Sequence, residues 1–363
     1  MKVFIQIKMS ATERIISFSE AVREALDMCL AADPCVYVIG LGVPDPKGSF
    51  GTTLGLQEKY GPSRVMDMPT SENGMTGIAV GSALVGMRPV MIHQRVDFSL
   101  LSLDPIVNHA SKWHYMFGGQ TPVPIVIRAV IGRGWGQGTQ HSQSLESWFA
   151  HIPGLKVVMP ATPHDAKGLM ISSILDNNPV IFLEHRWLHN IKGVVPEGFY
   201  RVPIGHARIA RAGKDITIVA NSHMVIEALH AAKRLAEIEI EAEVIDLRSV
   251  RPLDINSVMD SVSKTGRLIV VDTGWKNCGI GSEIIASVSE QILDRLKAAP
   301  RRLAPFDGPV PSTPALAQYC YPRSTHIAEE ICKMMNVPSN RLKPEEQDLV
   351  PFDIPNPSFA GPF

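Results

Sequence analysis

Patterns that mark disulfide-bonded, zinc-binding or membrane proteins are missing from this sequence. The five cysteines are scattered and form no CxxC pair, which indicates a reducing compartment and argues against a disulfide framework or a zinc site. The first residues, MKVFIQIKMS, lack the apolar stretch and cleavage site of a signal peptide. No window approaches the roughly 20 apolar residues of a membrane span. We therefore expect a cytoplasmic protein without membrane contact.

A charge excess of either sign is also missing. The chain has 35 Lys and Arg residues against 36 Asp and Glu residues, for a formal net charge of −1. No overall field would therefore draw it to nucleic acid or to an anionic membrane, and its partners must be recognised locally. The length of 363 residues, 45% of them hydrophobic, suits about two globular domains.

What the sequence contains is an alternation of helical patterns with short runs rich in Val and Ile. Residues 17–33 predict a helix and residues 34–40 a buried strand; similar strand-like runs follow at 88–94, 124–130, 155–160 and 179–185. Such short apolar runs suit a sheet that is covered on both faces. The pattern predicts an α/β domain with a mostly parallel sheet and flanking helices.

A second α/β cycle, over residues 215–296, predicts a smaller doubly wound domain. It is separated from the first by NIKGVVPEGFYRVPIG, residues 190–205, where Gly and Pro interrupt a segment without helical or strand periodicity. From about residue 337 the chain is rich in Pro and polar residues, which predicts an extended or disordered tail. We expect domains at 15–197 and 207–336, a linker at 198–206 and a tail at 337–363.

A carboxylate, Glu72, begins the glycine-rich helical pattern SENGMTGIAVGSALVGMRPV. In a purely structural interpretation, Ser71 caps the helix and Glu72 lies beside the positive end of its dipole. Two observations favour a functional charge. Interior helix glycines cost about 1 kcal/mol each unless a ligand or neighbour approaches the backbone. Other polar groups also recur at the ends of the following strands, where α/β sheets place their ligand sites.

Two of these strand ends carry distinctive residues. The segment QRVDF, from Gln94 to Phe98, follows one strand, and its aromatic ring is either core filler or a platform for a flat heterocycle. The segment IGRGWGQGTQHSQS, residues 131–144, follows the next strand; its alternate glycines prevent regular structure, and His141 closes it. A solvated histidine and a functional one both remain open. Neither phosphate-binding glycine motif, GxxxxGK[ST] or GxGxxG opening a helix, occurs in this loop.

Together these motifs resemble a known family. The helix beginning SENG, the segments DFSLLSLDPIVNHASKWHYMFGG, HIPGLKVVMPATPHDAKGL and ILDNNPVIFLEH, and the loop ending QHSQS occur in the order and spacing of the β subunit of the thiamine-diphosphate-dependent first component of 2-oxo acid dehydrogenase complexes. Pyruvate and branched-chain 2-oxo acid dehydrogenases are its best-known members. The resemblance implies a transketolase-like pyrimidine-binding domain followed by a transketolase C-terminal-like domain.

The resemblance implies roles for single residues. Glu72 matches the glutamate that hydrogen-bonds the aminopyrimidine ring of thiamine diphosphate and promotes loss of the proton from the thiazolium ring. That role requires a protonated carboxyl, a state that burial in an apolar subunit interface favours. Phe98 matches the aromatic that packs on the pyrimidine, and Gln94 and Thr70 match neighbours of the same ring. His141 matches the active-site histidine that assists the substrate-derived intermediates.

A structural potassium ion is also implied. Ile125, Ser173, Asp176 and Asn178 match positions that hold this ion, mostly through backbone carbonyls. The alternative interpretation of LDNNPV, which contains two of these residues, is a turn before a strand.

One motif of the thiamine enzymes is absent. Gly-Asp-Gly occurs nowhere in the 363 residues, although in those enzymes it helps to supply the oxygen ligands of the Mg²⁺ that holds the diphosphate. The resemblance therefore implies that this chain is half of an active site, and that an α subunit holds the diphosphate and Mg²⁺. The family usually forms an α2β2 heterotetramer in which two β chains meet. The glycine-rich helix would suit a close-packed interface, and a lipoyl-bearing acyltransferase is a further expected partner.

The chain also departs from the family. Where the family carries an acidic pair after its first strand, this sequence has Leu41 and Gly42, and the segments QRVDF and FDGPVPSTPALAQYCYPRSTHI differ from the commonest text. We expect decarboxylation of a 2-oxo acid, such as pyruvate or a branched-chain acid, and acyl transfer to lipoamide. A carboligating or split-transketolase-like subunit remains an alternative, although transketolases carry Ala-Glu-Gln and Thr-His-Gln in place of SENG and QHSQS. A non-enzymatic scaffold has no need for the intact set Glu72, Phe98 and His141.

Overall fold

The structure, a computed structural model, describes residues 14–134, 136–344 and 353–355. Its first half contains strands β1 (Ile15–Ser17), β2 (Val36–Gly40), β3 (Val65–Met66), β4 (Arg88–His93), β5 (Val126–Ile131), β6 (Lys156–Val158), β7 (Val180–His185) and β8 (Lys192–Val194). The helices of this half are α1 (Phe18–Ala32), α2 (Leu56–Tyr60), α3 (Glu72–Leu84), α4 (Val96–Ser99), α5 (Ser111–Met116), α6 (Glu146–His151) and α7 (Pro163–Leu175), with a π-helical segment at Asp104–Ala110.

The second half has the same alternation. Its strands are β9 (Arg208–Arg211), β10 (Ile216–Ala220), β11 (Ala242–Asp246), β12 (Ser249–Arg251), β13 (Leu268–Val271) and β14 (Arg301–Leu303). Its helices are α8 (His223–Ala236), α9 (Ile255–Thr265), α10 (Ile280–Ile292), α11 (Pro314–Ala317) and α12 (Ser324–Met334). None of the helices in the described part of the chain combines the length and apolar composition needed to cross a bilayer.

Two mostly parallel sheets organise these elements. The larger has the order β12-β6-β7-β5-β4-β2-β3, in which β12 pairs antiparallel with β6 and the other neighbours are parallel. The smaller has the order β14-β13-β10-β11-β9, with β9 antiparallel to β11. The predicted α/β class with mostly parallel sheets is confirmed. The largest cluster of buried apolar side chains includes residues of both sheets, such as Ile127 and Ile245.

Helix α1 shows why the sequence pattern predicted it so closely. The hydroxyl of Ser17 accepts a hydrogen bond from the backbone N–H of Glu20, and the Glu20 carboxylate accepts one from the Ser17 N–H (2.8 Å), which forms a capping box. Phe18, Val22 and Leu26 follow at helical spacing and are fully buried. Local capping and amphipathic spacing therefore agree on this helix.

Residues 190–205, expected to be irregular, contain one strand. Strand β8 lies in this segment and pairs antiparallel with β1, with Ile15 opposite Val194. Its residues are exposed or only partly buried, so no alternation of apolar and polar side chains marks it in the sequence. The backbone pairing forms this strand rather than side-chain burial.

Strand β12 links the two halves of the chain. It follows β11 of the smaller sheet after two residues, yet it pairs with β6, with Ser249 opposite Val158. The larger sheet therefore takes its seventh strand from the second half of the chain.

The tail predicted for residues 337–363 lies partly outside the described residues, namely at 345–352 and 356–363. In its described part, Ser339–Arg341 form a 3-10 turn, and Asp353 and Ile354 contact buried arginines of the body.

Candidate active site

The carboxyl ends of β2, β4, β5 and β7 lie at one edge of the larger sheet, because these strands are parallel neighbours. Leu41 follows β2 and Gln94 follows β4, and the Gln94 amide donates a hydrogen bond to the Leu41 carbonyl (3.1 Å). Gly42, with φ +70°, donates its N–H to the Asp67 carboxylate (2.9 Å). The two positions that lack the family's acidic pair therefore lie beside Gln94, one of the predicted cofactor neighbours.

Glu72 is the first residue of α3 and is only 7% exposed. The Ser71 side chain makes no capping hydrogen bond, so the capping part of the structural interpretation is wrong. Within the described chain, no hydrogen bond or ion pair joins the Glu72 carboxyl to another residue. The Glu72 carboxyl is therefore available to a group outside the described residues. Thr70 lies two residues earlier and is exposed.

Helix α3 is tied to the segment that carries Phe98. The Asn73 amide donates to the Leu101 carbonyl (3.3 Å), and the Thr76 hydroxyl donates to the Ser102 hydroxyl (3.0 Å). Residues 100–102 form a 3-10 turn that directly follows α4. The structure therefore brings the helix that begins with Glu72 against the turn that follows Phe98.

Phe98 and His141 are in direct contact. Their ring centroids are 5.2 Å apart and the ring planes meet at 80°, an edge-to-face arrangement. His141 is exposed at the end of a 3-10 turn, Thr139–His141, whereas Phe98 is half-buried in α4. Two of the predicted site residues, from different strand ends, thus form one surface.

Buried charges hold the two strand ends together, and sequence reasoning missed them. The Gln143 amide donates to the Asp97 carboxylate (2.8 Å), Arg95 Nε lies 3.6 Å from the same carboxylate, and an Arg95 guanidinium N–H donates to the Gly132 carbonyl. Burial raises the pKa of Asp97 and lowers that of Arg95. Asp97 stands next to Phe98 in QRVDF, a segment that the sequence already marked as part of a candidate site. That position was the signal by which Asp97 could have been identified as a site residue.

The loop between β5 and α6 is built on Gly132. This residue has φ +74°, and a Cβ added to it would collide with the ring of His185, so only glycine fits there. Its N–H donates to the Gln143 carbonyl (3.0 Å), which joins the two ends of the loop. The predicted absence of regular structure holds for the described part of the loop apart from the turn at His141; Trp135 lies outside the described residues.

The four residues predicted for potassium also lie close in the fold. The carbonyl of Ile125 accepts from the N–H of Val180, just beyond Asn178, and the carbonyl of Ser173 accepts from the N–H of Asp176 (3.3 Å). The Asp176 carboxylate accepts hydrogen bonds from Lys156 and from the N–H of Asn178. The carbonyls of Ile125 and Ser173 each keep a second lone pair. Backbone ligation therefore fits this site better than ligation by the Asp176 carboxylate. The described residues contain no cluster of three or more His, Cys, Asp or Glu side chains able to hold a metal ion.

Several large apolar side chains of the first domain are exposed. Val85 is 82% exposed and Tyr115 is 88% exposed. The outer side of α3 carries Gly77 and Gly81, whose added Cβ atoms would meet nothing. The other large apolar residues exposed on α3, on α5 or nearby are Ile78, Leu101, Met116, Phe117 and Trp148. Apolar residues that form a contiguous exposed patch typically mark a protein interaction surface.

A large cavity, of about 1120 Å³, lies elsewhere. It is a cleft between the two halves of the chain, lined by apolar residues such as Val107 and Trp148 on one side and Val250 and Ile280 on the other. None of the predicted site residues lines it. The candidate chemistry is therefore at the strand ends and not in this cleft.

Comparisons with known proteins agree with this architecture. Residues 14–191 match the family model "Transketolase, pyrimidine binding domain", and residues 205–327 match "Transketolase, C-terminal domain". A solved structure titled "Split gene transketolase, inactive beta4 tetramer" superposes with a TM-score of 0.71 at 23% identity, over 89% of this chain and 99% of that one. At this identity the likeness concerns the fold alone.

Curated relatives are closer in sequence. The β subunit of acetoin:2,6-dichlorophenolindophenol oxidoreductase from Cupriavidus necator is 44% identical over 332 residues, which covers 89% of this chain and 98% of the relative. The mitochondrial pyruvate dehydrogenase E1 subunit beta-2 from Oryza sativa is 43% identical, with coverages of 88% and 86%. The pyruvate dehydrogenase E1 subunit beta from Rickettsia felis is 40% identical, with coverages of 88% and 98%.

Proposed function

The chain belongs to the transketolase-like family of dehydrogenase β subunits that includes those of pyruvate dehydrogenase E1 and of acetoin oxidoreductase, and on that premise we propose that it is the β subunit of a thiamine-diphosphate-dependent 2-oxo acid dehydrogenase. With an α subunit it decarboxylates a 2-oxo acid, such as pyruvate or a branched-chain acid, and transfers the acyl group to lipoamide. It carries the pyrimidine half of a shared site.

The observation that carries this proposal is the largely buried residue Glu72, whose carboxyl bonds to no other described residue. Thiamine diphosphate, when bound, would supply a nucleophilic thiazolium carbon for the substrate carbonyl and a cationic ring that takes up the electron pair of the bond to the departing CO₂. Glu72 would hold a proton in a hydrogen bond to the aminopyrimidine ring, and Phe98 would pack on that ring. Gln94 and Thr70 would complete its surroundings. The aromatic face, the amide and the carboxyl of these residues fit a flat, nitrogen-rich ring.

His141 has a different place in the proposal. Its ring is exposed and contacts Phe98 edge-on, which supports a place for His141 beside the proposed pyrimidine position. A histidine there can donate a proton to substrate oxygen or orient the acyl acceptor. We assign both tasks to His141, and no other imidazole is in ring contact with Phe98 among the described residues.

Calorimetric titration of thiamine diphosphate with Mg²⁺ tests the shared site. We expect no binding to this chain alone and binding to the same chain co-expressed with its candidate α subunit. The missing Gly-Asp-Gly motif supports this expectation. Tight binding to the isolated chain would reject the proposal that another chain holds the diphosphate and Mg²⁺, and no binding to the pair would reject the proposed cofactor.

We also propose an α2β2 assembly in which two β chains contact each other. The exposed apolar side of α3 and α5, with the open Gly77 and Gly81, supports burial against other subunits. Native mass spectrometry of the co-expressed chains should give the mass of a heterotetramer. A lipoyl-bearing acyltransferase is proposed as the third partner, and the five free cysteines suit work in the reducing cytoplasm.

A structural K⁺ held by the carbonyls of Ile125, Ser173, Asp176 and Asn178 belongs to the same proposal. Replacement of K⁺ by a large organic cation should lower the melting temperature of the assembly. An unchanged melting temperature would remove the ion from the proposal.

Cleavage or formation of a carbon–carbon bond without loss of CO₂, as in a carboligating or split-transketolase-like enzyme, is the second candidate reaction. Two observations favour it: the loss of the family's acidic pair at Leu41 and Gly42, and the 44% identity to an acetoin oxidoreductase subunit. Turnover of pyruvate, branched-chain 2-oxo acids and acetoin by the assembled enzyme, with an artificial electron acceptor, would separate the two. A split-transketolase activity would appear as ketol transfer without an electron acceptor.

A further inference from the structure

Three residues far along the chain, Asp353, Ile354 and Pro355, lie against two buried arginines from the two halves of the protein. Arg133 donates to the Asp353 carbonyl (2.9 Å) and lies 3.4 Å from its carboxylate. Arg323 donates to the carbonyls of Ile354 (2.8 Å) and Pro355 (3.1 Å). Asp353 is only 4% exposed. We call Asp353–Pro355 the latch.

Arg133 lies in the loop that ends with His141. It is the second residue after β5 and is fully buried. Its other guanidinium nitrogen donates to the Ser312 carbonyl (2.8 Å), and its backbone N–H donates to the Tyr321 hydroxyl (3.0 Å). The Tyr321 hydroxyl in turn lies 3.5 Å from the carbonyl of Ser142, the residue after His141. The start and the end of the loop are thus fixed through one group of buried contacts.

The charge of Arg133 makes the latch necessary to this arrangement. Within the described part of the chain, Asp353 is the one carboxylate at salt-bridge distance from Arg133. A buried guanidinium that loses its carboxylate is strongly unfavourable. If the latch is removed, Arg133 must either remain buried without its counter-charge or move towards water. Movement would displace the backbone of the loop that carries His141.

We propose that the latch positions the loop between β5 and α6, which carries His141. Asp353–Pro355 hold Arg133, and Arg133 is a positioning residue for His141. This inference rests on the proposed function, since it assigns a catalytic task to His141. The latch lies beyond both family-model matches, the second of which ends at residue 327. It therefore adds a third element to the two matched domains.

The test compares two shortened chains, each co-expressed with the α subunit. The first ends at residue 344 and lacks the latch, whereas the second ends at residue 355 and keeps it. For the first we expect kcat to fall about 10- to 100-fold, because a small misplacement of a catalytic group has an effect of this size. We expect KM for the oxo acid and the dissociation constant of thiamine diphosphate to stay within about twofold of the full chain. The second should match the full chain.

Hydrogen exchange of the backbone amides of residues 136–142 supplies a readout that needs no catalysis. These amides should exchange faster in the chain that ends at residue 344 and at the parental rate in the chain that ends at residue 355. Equal exchange and kcat in the two shortened chains would overturn the latch. If the full assembly shows no turnover of any substrate tested but the exchange still differs, the proposed function fails and the latch stands.

Variants of the full chain cover the case in which the shorter chain does not assemble. Asp353→Ala removes the counter-charge, and Arg133→Lys keeps the charge but not the forked geometry. Both should lower kcat more than they change KM and should speed exchange in residues 136–142. A synthetic peptide of residues 345–363 should restore slow exchange to a chain that ends at residue 344. Parental kcat and exchange in Asp353→Ala and Arg133→Lys would overturn the proposal.

Discussion

His141 meets Phe98 edge-on, with 5.2 Å between the ring centroids. An edge-to-face aromatic pair contributes about 0.5–1.5 kcal/mol beyond its buried area, so Phe98 restricts where the exposed imidazole can lie. The pair connects the residue proposed to pack on the cofactor with the residue proposed to act on the substrate. Each should respond to a change in the other.

Replacing Phe98 by Leu should therefore affect two measurements together. The apolar volume is largely kept but the ring is lost, so we expect the dissociation constant of thiamine diphosphate to rise about 2- to 10-fold and kcat to fall by a similar factor. Phe199→Leu is the matched control, because Phe199 is 48% exposed and has no place in the proposed site. Unchanged cofactor affinity in Phe98→Leu would contradict stacking on this ring.

Replacing Glu72 by Gln should remove most of the activity without disturbing assembly. The amide keeps the shape of the side chain but cannot exchange a proton with the aminopyrimidine, and a positioned acid–base group typically contributes 10²- to 10⁴-fold. We expect kcat to fall at least about 100-fold, while native mass spectrometry still shows the complex. Glu58→Gln, at an exposed position of α2, should behave as the parent. Retention of more than a tenth of the parental kcat in Glu72→Gln would disagree with the assigned role.

Two glycines of the loop between β5 and α6 form a matched pair for a stability experiment. Gly132 and Gly136 both have positive φ, but an added Cβ collides with His185 at the first position and meets nothing at the second. Gly136→Ala should lower the free energy of unfolding by about 1–2 kcal/mol, the cost of a left-handed alanine. Gly132→Ala should lower it by about 1–3 kcal/mol more, because overpacking is added. If urea denaturation shows the same loss of unfolding free energy in both variants, the His185 ring can move away from the added methyl group at little energetic cost.

Glu146 predicts a pH dependence whose sign is fixed. It is fully buried with no hydrogen-bond partner in the described chain, and burial, aided by the nearby charge of Asp272, raises its pKa well above the usual range. The folded state therefore keeps a proton that the unfolded chain has released above about pH 4.3. Stability linked to this group is present at low pH and is lost as the pH rises towards the folded pKa.

Glu146→Gln removes this dependence, because glutamine does not titrate. The free energy of unfolding of the variant, minus that of the parent, should increase from pH 4.5 to pH 7.5 by up to about 1.4 kcal/mol per pH unit. Denaturation at three pH values measures it. Glu237→Gln, at a partly exposed carboxylate, is the matched control substitution. If the difference in the free energy of unfolding does not change with pH for Glu146→Gln, the buried carboxyl is ionised and is neutralised by a group outside the described residues.

Much of the fold could be predicted because its signals are local. Helix α1 has its capping box and apolar spacing within residues 17–32, and α3 begins at Glu72, where the glycine-rich pattern placed it. Strand β8 could not be predicted, because its pairing with β1 involves backbone groups and leaves its side chains exposed. The pairing of β12 with β6 joins residues about ninety positions apart, which no local pattern records.

The candidate site also contains residues that the sequence could identify and residues that it could not. Glu72, Phe98 and His141 stand in motifs that a resemblance can identify, and the structure places Phe98 and His141 in contact. Arg133 and Asp97 were missed, because a charged residue in a polar or glycine-rich segment is normally exposed. Their burial depends on partners from distant segments, Asp353 for Arg133 and Gln143 for Asp97.

The antiparallel pairing of β12 with β6 has a consequence for biosynthesis. The larger sheet cannot gain its seventh strand until the ribosome has released residue 251, so the edge of β6 stays open while much of the second half is being made. An open strand edge is a template for pairing with other chains. Expression of residues 15–197 alone should therefore give aggregated material, whereas a fragment extended to include the whole second half should aggregate less.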